Sequence, residues 1–174
     1  MRSATGFACL LAASYVLALW MTAPAVGFVR DEGYYFKAAQ MYFDWLRTFE
    51  GASSLTEPAI REHFEYNHEH PALVKLTQGA TKWLLSDVLE IAAPSRGYRA
   101  SGMLFAGLAL LGAFALGRQH FGPSVGLAAA VLLALVPRFF FHAHLACFDV
   151  AITAMWTWAL VAFVWAWRAR TWGT

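Results

Sequence analysis

The chain has 174 residues, of which 59% are hydrophobic and 14% are charged, and its mean hydropathy is +0.48. This composition indicates an integral membrane protein. The net charge of +2 and the scattered basic residues exclude a nucleic-acid partner. The two cysteines, Cys9 and Cys147, predict neither a disulfide framework nor a metal site.

Four apolar runs reach or approach the roughly 20 residues that a membrane-spanning helix needs. They cover residues 7–29, 101–117, 125–141 and 150–167. Gly122 and Pro123 lie between the two middle runs and predict a helical hairpin turn there. We therefore expect an all-α, polytopic membrane protein with about four transmembrane helices, organised as a single membrane module over residues 1–174.

A long loop, residues 30–98, follows the first predicted span and contains two amphipathic segments. In residues 72–85, Lys75 and Lys82 recur at helical spacing opposite Leu73 and Leu76. Residues 33–50 show the same division into an aromatic stripe and a charged stripe. Both segments are typical of juxtamembrane helices that lie along a membrane surface.

Basic residues predict which side of the membrane this loop occupies. With four spans, Arg2, Arg118, Arg168 and Arg170 fall on one side, which the positive-inside rule makes cytoplasmic. Residues 30–98 and the connection at 142–149 are then non-cytoplasmic. An alternative interpretation of the first run is a cleavable signal peptide, which leaves the loop on the same side.

Several polar residues that could do chemistry collect on this outer side. The carboxylate pair Asp31-Glu32 follows the first span, and Asp149 opens the last one. A carboxylate near Lys75 and Arg99 is suited to catalyse the transfer of a group from a lipid-linked phosphate. The cations would hold the phosphate leaving group, and the carboxylate would take a proton from the acceptor. The alternatives are a simple helix stop for the pair and a helix cap for Asp149.

Metal binding is the competing use of the histidines. His68 and His70 are two residues apart, and no His-Glu-x-x-His pattern presents two ligands on one helix face. We therefore predict no metal-ligand set and no certain cofactor. A divalent ion that bridges Glu69 or a histidine to another loop stays open.

The order of motifs resembles the GT-C superfamily of polyprenyl-phosphate-sugar-dependent glycosyltransferases, especially the protein O-mannosyltransferases, the related aminoarabinose transferases and family 39 members. The residues that carry this resemblance are Asp31-Glu32, the stretch His70-Pro71-Ala72-Leu73-Val74-Lys75-Leu76, Tyr98-Arg99-Ala100-Ser101-Gly102, the turn at 117–122 and Asp149. Ala72 replaces the second proline of the family motif.

The resemblance implies roles for individual residues. Asp31 would be the catalytic base, and Glu32 would orient it or bind acceptor. Arg99 would bind the lipid phosphate, with Lys75 as a weaker candidate on the phosphate side. His70 would shape the site, and Asp149 would complete its polar centre.

The implied function is transfer of a sugar from a polyprenyl-phosphate carrier to a protein, lipid or glycan acceptor outside the cytoplasm, in a bacterial inner or plasma membrane. Because GT-C enzymes have many more spans than four, we expect the chain to be the N-terminal portion of a larger architecture. The alternative is a non-catalytic membrane scaffold or lipid-carrier-binding subunit that needs a partner subunit.

Overall fold

The computed structural model describes residues 2–169, so Arg170, one of the four arginines predicted on the cytoplasmic side, lies outside the described residues. Within this range the chain is helical and contains no β-strand. The eight α-helices in residues 2–169 are α1 (Arg2–Thr22), α2 (Glu32–Arg47), α3 (Glu57–Phe64), α4 (Ala72–Lys82), α5 (Pro94–Phe121), α6 (Pro123–Ala134), α7 (Pro137–Ala143) and α8 (Asp149–Ala169). Short 3₁₀ turns cover Ala23–Ala25 and Gly51–Leu55, and a π-helical turn, Trp83–Val88, follows α4.

Among the described residues, three helical stretches are long and apolar enough to cross a membrane: Ser3–Ala25, Pro94–Phe121 and Asp149–Ala169. Helices α6 and α7 together make a fourth candidate, but they are bent by 70° at their junction. The prediction of an all-α polytopic membrane protein is therefore confirmed.

The continuous helix predicted over residues 125–141 differs from the structure, because α6 ends at Ala134 and α7 begins at Pro137. Proline has no amide proton to donate and disfavours helical geometry at the preceding residue. The turn predicted between the two middle runs is shorter than the gap between those runs. It is confined to Gly122, whose φ of +94° suits glycine, and Pro123 starts α6 immediately.

The chain divides into two compact units. The described part of the first, the span unit, comprises residues 2–22, 103–143 and 148–169. The second, the loop unit, comprises Ala23–Gly102 and His144–Cys147. Helix α5 therefore contributes its first residues to the loop unit and the rest to the span unit.

In the span unit, polar contacts gather three helix ends. Arg118 Nη1 near the end of α5 donates to Thr5 Oγ1 near the start of α1 at 2.8 Å. Arg168 near the end of α8 donates to the carbonyl of Gln119. The start of α1 and the ends of α5 and α8 thus lie at one end of this unit, as the grouping of basic residues predicts.

In the loop unit, α2 packs closely on α4. A Cβ added to Gly79 of α4 would lie 2.4 Å from Cβ of Phe43 and 2.6 Å from the carbonyl oxygen of Ala39, both in α2. Helix α4 turns Lys75 and Gln78 inward and leaves Leu73 56% exposed. The placement of this helix along a membrane surface stays a prediction.

Candidate active site

Asp31 lies in an open cleft of the loop unit at the start of α2. The cleft has a volume of about 330 Å³. We call it the acidic cleft, and its lining residues are Asp31, Tyr34, Tyr35, Asn67, Glu69 and His70. The structure thus brings together Asp31 and His70, two of the residues that the sequence selects.

The Asp31 side chain is exposed and makes no capping hydrogen bond to α2. Its backbone carbonyl, by contrast, accepts the amides of Tyr34 and Tyr35, so the main chain at this position is fixed by the helix. A carboxylate that is anchored through its backbone while its oxygens face a cleft is placed to accept a proton from a bound hydroxyl group.

Glu32, the next residue, is completely buried and paired with Arg99. Arg99 Nε donates to Oε1 at 2.7 Å, and Nη2 donates to Oε2 at 2.6 Å. The backbone amides of Ala146 and Val29 also donate to this carboxylate, at 3.0 and 3.2 Å. Four donors therefore hold Glu32, and its oxygens are used for structure.

Arg99 is also buried, since only 4% of it is exposed. Besides Glu32, its guanidinium donates to the carbonyls of Val26 at 2.9 Å and Gly27 at 2.8 Å. The pair therefore ties the segment after α1, the start of α2, α5 and the 144–147 segment together. We call this arrangement the Glu32–Arg99 clamp. In this geometry Arg99 supports the backbone that leads into Asp31, and its role as a phosphate ligand stays a prediction.

Lys75, the other cation predicted near phosphate, is also fully buried. Its ammonium donates to the carbonyl of Asn67, to that of His70 at 3.4 Å and to Tyr42 Oη at 3.3 Å. Burial lowers the pKa of Lys75, and nearby Glu69 opposes that shift. The ammonium thus fixes residues 67–70, a wall of the acidic cleft.

Tyr42 of α2 completes this support. Its hydroxyl donates to the carbonyls of Phe64 at 3.0 Å and Tyr66 at 3.2 Å, and burial raises its pKa, helped by the carboxylates of Glu69 and Glu65. Tyr42 and Lys75 therefore attach the 64–70 segment to α2 and α4 from below the cleft.

The wall that they hold carries Asn67, Glu69 and His70. Asn67 Nδ2 donates to Glu69 Oε1 at 2.6 Å, and the His70 ring packs edge-on against Tyr35 with centroids 5.8 Å apart. The pKa of the Glu69 carboxyl is lowered, chiefly by a hydrogen bond from its own backbone amide and also by the charges of His70, Lys75 and His68. Glu69 therefore adds a second negative charge to the acidic cleft.

Asp149 belongs to the span unit, where it opens α8. Its Oδ2 lies 3.2 Å from Nδ1 of His142, and both line a cleft of about 340 Å³ with Arg138 and Thr153. Its assignment to the polar centre of the site stays a prediction.

Among the residues that the structure describes, no group of three or more His, Cys, Asp or Glu side chains is placed to hold a metal ion. Sequence reasoning missed the contribution of Asn67 and Glu69 to the acidic cleft, although both lie in the polar run before Pro71. The sequence also did not predict the backbone carbonyls and amides that bind the clamp, because backbone groups are the same in nearly every residue.

The family model described as dolichyl-phosphate-mannose-protein mannosyltransferase matches residues 80–174, which is more than half of the chain. The matched region includes Arg99 and Asp149, while Asp31, Glu32, His70 and Lys75 precede it. No curated protein and no solved structure matches the chain significantly.

Proposed function

Because this chain belongs to the dolichyl-phosphate-mannose-protein mannosyltransferase family, whose members are membrane glycosyltransferases of the GT-C type, we propose that Asp31 is the base of a sugar transfer. In this proposal the donor is a sugar on a polyprenyl phosphate and the acceptor is a hydroxyl group on the non-cytoplasmic side. The observation that carries it is the exposed Asp31 carboxylate in the acidic cleft, beside a Glu32 carboxylate that is buried in the clamp.

The proposed step is a single displacement at the anomeric carbon. The acceptor oxygen forms a bond to that carbon as its proton passes to Asp31, and the bond from the carbon to the phosphate oxygen breaks. The polyprenyl phosphate leaves with the electron pair, and a nearby cation offsets its charge. The polar side chains of Asn67, Glu69 and His70, which line the acidic cleft, would bind hydroxyl groups of the sugar or the acceptor.

Asp31→Asn tests the base directly, since it keeps the shape of the side chain and removes its basicity. We expect transfer from a radiolabelled polyprenyl-phosphate mannose, measured on the reconstituted protein, to fall by about 10²- to 10⁴-fold. Glu57→Gln is the matched control, because Glu57 is an exposed carboxylate in the first turn of a helix of the same unit. Full transfer by Asp31→Asn would refute the assignment.

The proposal also assigns distinct roles to the two neighbouring carboxylates. Loss at Asp31 should leave the stability of the protein unchanged, whereas loss at Glu32 should lower it. A variant of Asp31 that unfolds as easily as a Glu32 variant would show that both carboxylates act in structure.

A further inference from the structure

We infer that the span unit binds a zwitterionic phospholipid with a primary ammonium group, as in phosphatidylethanolamine, in the cleft that contains Asp149. This cleft, which we call the headgroup cleft, has a volume of about 340 Å³. Its lining includes one cation, one carboxylate, an imidazole ring and apolar side chains: Arg138, Asp149, His142, Leu133, Val136 and Phe139. The bound lipid is neither the donor nor the acceptor of the proposed sugar transfer.

Both charged side chains of the headgroup cleft are open to a ligand. Arg138 is exposed, and its guanidinium forms no hydrogen bond, ion pair or ring contact with the part of the chain that the structure describes. The Asp149 side chain is 65% exposed, and its Oδ2 lies 3.2 Å from Nδ1 of His142. The imidazole therefore holds the carboxylate through one oxygen and leaves the other, Oδ1, for a ligand.

The fold places these opposite charges on the same cleft. Arg138 and His142 are four residues apart on α7, so they lie on one face of that helix. His142 in turn contacts Asp149, the first residue of α8. The start of α8 therefore brings its carboxylate to the face of α7 that carries the guanidinium, and both groups line the headgroup cleft.

A ligand that satisfies both groups must itself carry both charges. A guanidinium donates parallel N–H groups to phosphate oxygens, and a carboxylate accepts charge-assisted hydrogen bonds from an ammonium group. A headgroup with a phosphate and an ammonium a few bonds apart therefore matches Arg138 and Asp149 together. A purely anionic phosphate would meet the like charge of Asp149. A trimethylated ammonium has no N–H group to donate, so ethanolamine is favoured over choline.

The surroundings of the headgroup cleft favour a lipid over a soluble molecule with the same charges. Asp149 begins one candidate span, and α7 ends the bent helix pair that makes another. Lipid headgroups lie at such span ends. Val136, Ile152 and Trp156 are exposed apolar side chains near the charged residues in the chain, and they suit contact with acyl chains. The volume of the cleft accommodates the headgroup, with the acyl chains outside it.

Lipid binding to the full chain in detergent micelles tests this site. The probe is radiolabelled dioleoyl phosphatidylethanolamine. The unlabelled competitors are phosphatidylcholine and phosphatidylglycerol with the same acyl chains, polyprenyl monophosphate and soluble glycerophosphoethanolamine. We expect Arg138→Gln to weaken binding of the probe by about 10- to 100-fold, the range for loss of charge-assisted hydrogen bonds. Asp149→Asn should lose the preference for phosphatidylethanolamine over phosphatidylglycerol, because the group that selects the ammonium is gone.

Arg61→Gln is the matched control, since Arg61 is an exposed arginine whose ion pair with Glu57 lies on the surface. It should bind the probe as the unaltered chain does. On the unaltered chain, every competitor should displace the probe less well than unlabelled phosphatidylethanolamine does. Phosphatidylglycerol and polyprenyl monophosphate lack the ammonium, phosphatidylcholine lacks its N–H donors, and glycerophosphoethanolamine lacks the acyl chains.

Equal binding by Arg138→Gln and Arg61→Gln would overturn the inference, and so would an unaltered chain that does not bind the probe. An Asp149→Asn variant that keeps the preference for phosphatidylethanolamine would overturn it too. Competition as strong as that of unlabelled probe refutes the site in three ways: by the other phospholipids it excludes selection of a primary ammonium, by polyprenyl monophosphate it indicates an anion site, and by glycerophosphoethanolamine it indicates a soluble ligand. These competitions use the unaltered chain, so they decide even where a variant is unstable.

Discussion

The Glu32–Arg99 clamp makes a quantitative prediction about stability. Glu32→Gln preserves the volume of the side chain but removes its charge and one acceptor oxygen. The Arg99 guanidinium, of which 4% is exposed, would then be a buried cation without its carboxylate. The new amide NH₂ would also face at least one of the four donors that now bind Glu32.

Removing one member of a buried ion pair typically costs about 3–5 kcal/mol, because the remaining charge is desolvated without compensation. We expect this loss for Glu32→Gln, which corresponds to a fall in melting temperature of roughly 6–20 °C for a chain of this size. Unfolding by denaturant in mixed detergent micelles, followed by circular dichroism, gives the free energy of unfolding for each variant.

The exposed pair of Glu57 and Arg61 supplies the comparison. The two side chains are 82% and 65% exposed, so Glu57→Gln should cost no more than about 0.5 kcal/mol. Double substitution of Glu32 and Arg99 by glutamine should lose less than the sum of the two single changes, by about 0.5–3 kcal/mol, because the orphaned charge is gone. Additive losses, or a Glu32→Gln variant as stable as Glu57→Gln, would refute the clamp as the element that joins these segments.

Two further changes test the support of the acidic cleft. The pKa of Lys75 is lowered in the folded chain, so between that pKa and 10.5 the protein takes up a proton when it unfolds. The free energy of unfolding of the unaltered protein should therefore rise with pH in this range, relative to that of Lys75→Met. Denaturant unfolding of the unaltered protein and of Lys75→Met from about pH 8 to 11 measures the difference between their free energies of unfolding. A difference that does not change with pH would contradict the prediction. Gly79→Ala should cost about 1–3 kcal/mol or more, because its Cβ would meet Phe43 and Ala39, whereas Gly33→Ala, with open space around it, should not destabilise.

Much of the helical architecture could be predicted, because apolar length and helical periodicity report directly on helices in lipid. The last span, predicted at 150–167, corresponds to α8, Asp149–Ala169. The break between α6 and α7 was also accessible in principle, since Pro137 lies inside the run 125–141. The length of the apolar run predicted one helix there, but the helix is interrupted because proline has no backbone amide to donate.

The site was harder to predict, for a reason that Lys75 illustrates. A lysine on the polar stripe of an amphipathic helix is expected to face water or lipid head groups. In the structure Lys75 and Gln78 of the polar stripe face inward, whereas Leu73 of the apolar stripe is exposed. The acceptors that make burial tolerable are carbonyls of Asn67 and His70, which any sequence possesses.

The division of labour between Asp31 and Glu32 follows from their position at a helix start. Successive residues of a helix point about 100° apart, so one carboxylate at this boundary can turn inward while its neighbour stays at the surface. Glu32 turns inward because Arg99 and two backbone amides donate hydrogen bonds to its carboxylate there. With the main chain fixed by that anchor, Asp31 needs no capping bond of its own, and its oxygens stay available in the acidic cleft. Both interpretations of the pair, a helix stop and a catalytic carboxylate, therefore apply to different residues: Glu32 fixes the helix boundary, and we propose that Asp31 is the catalytic base.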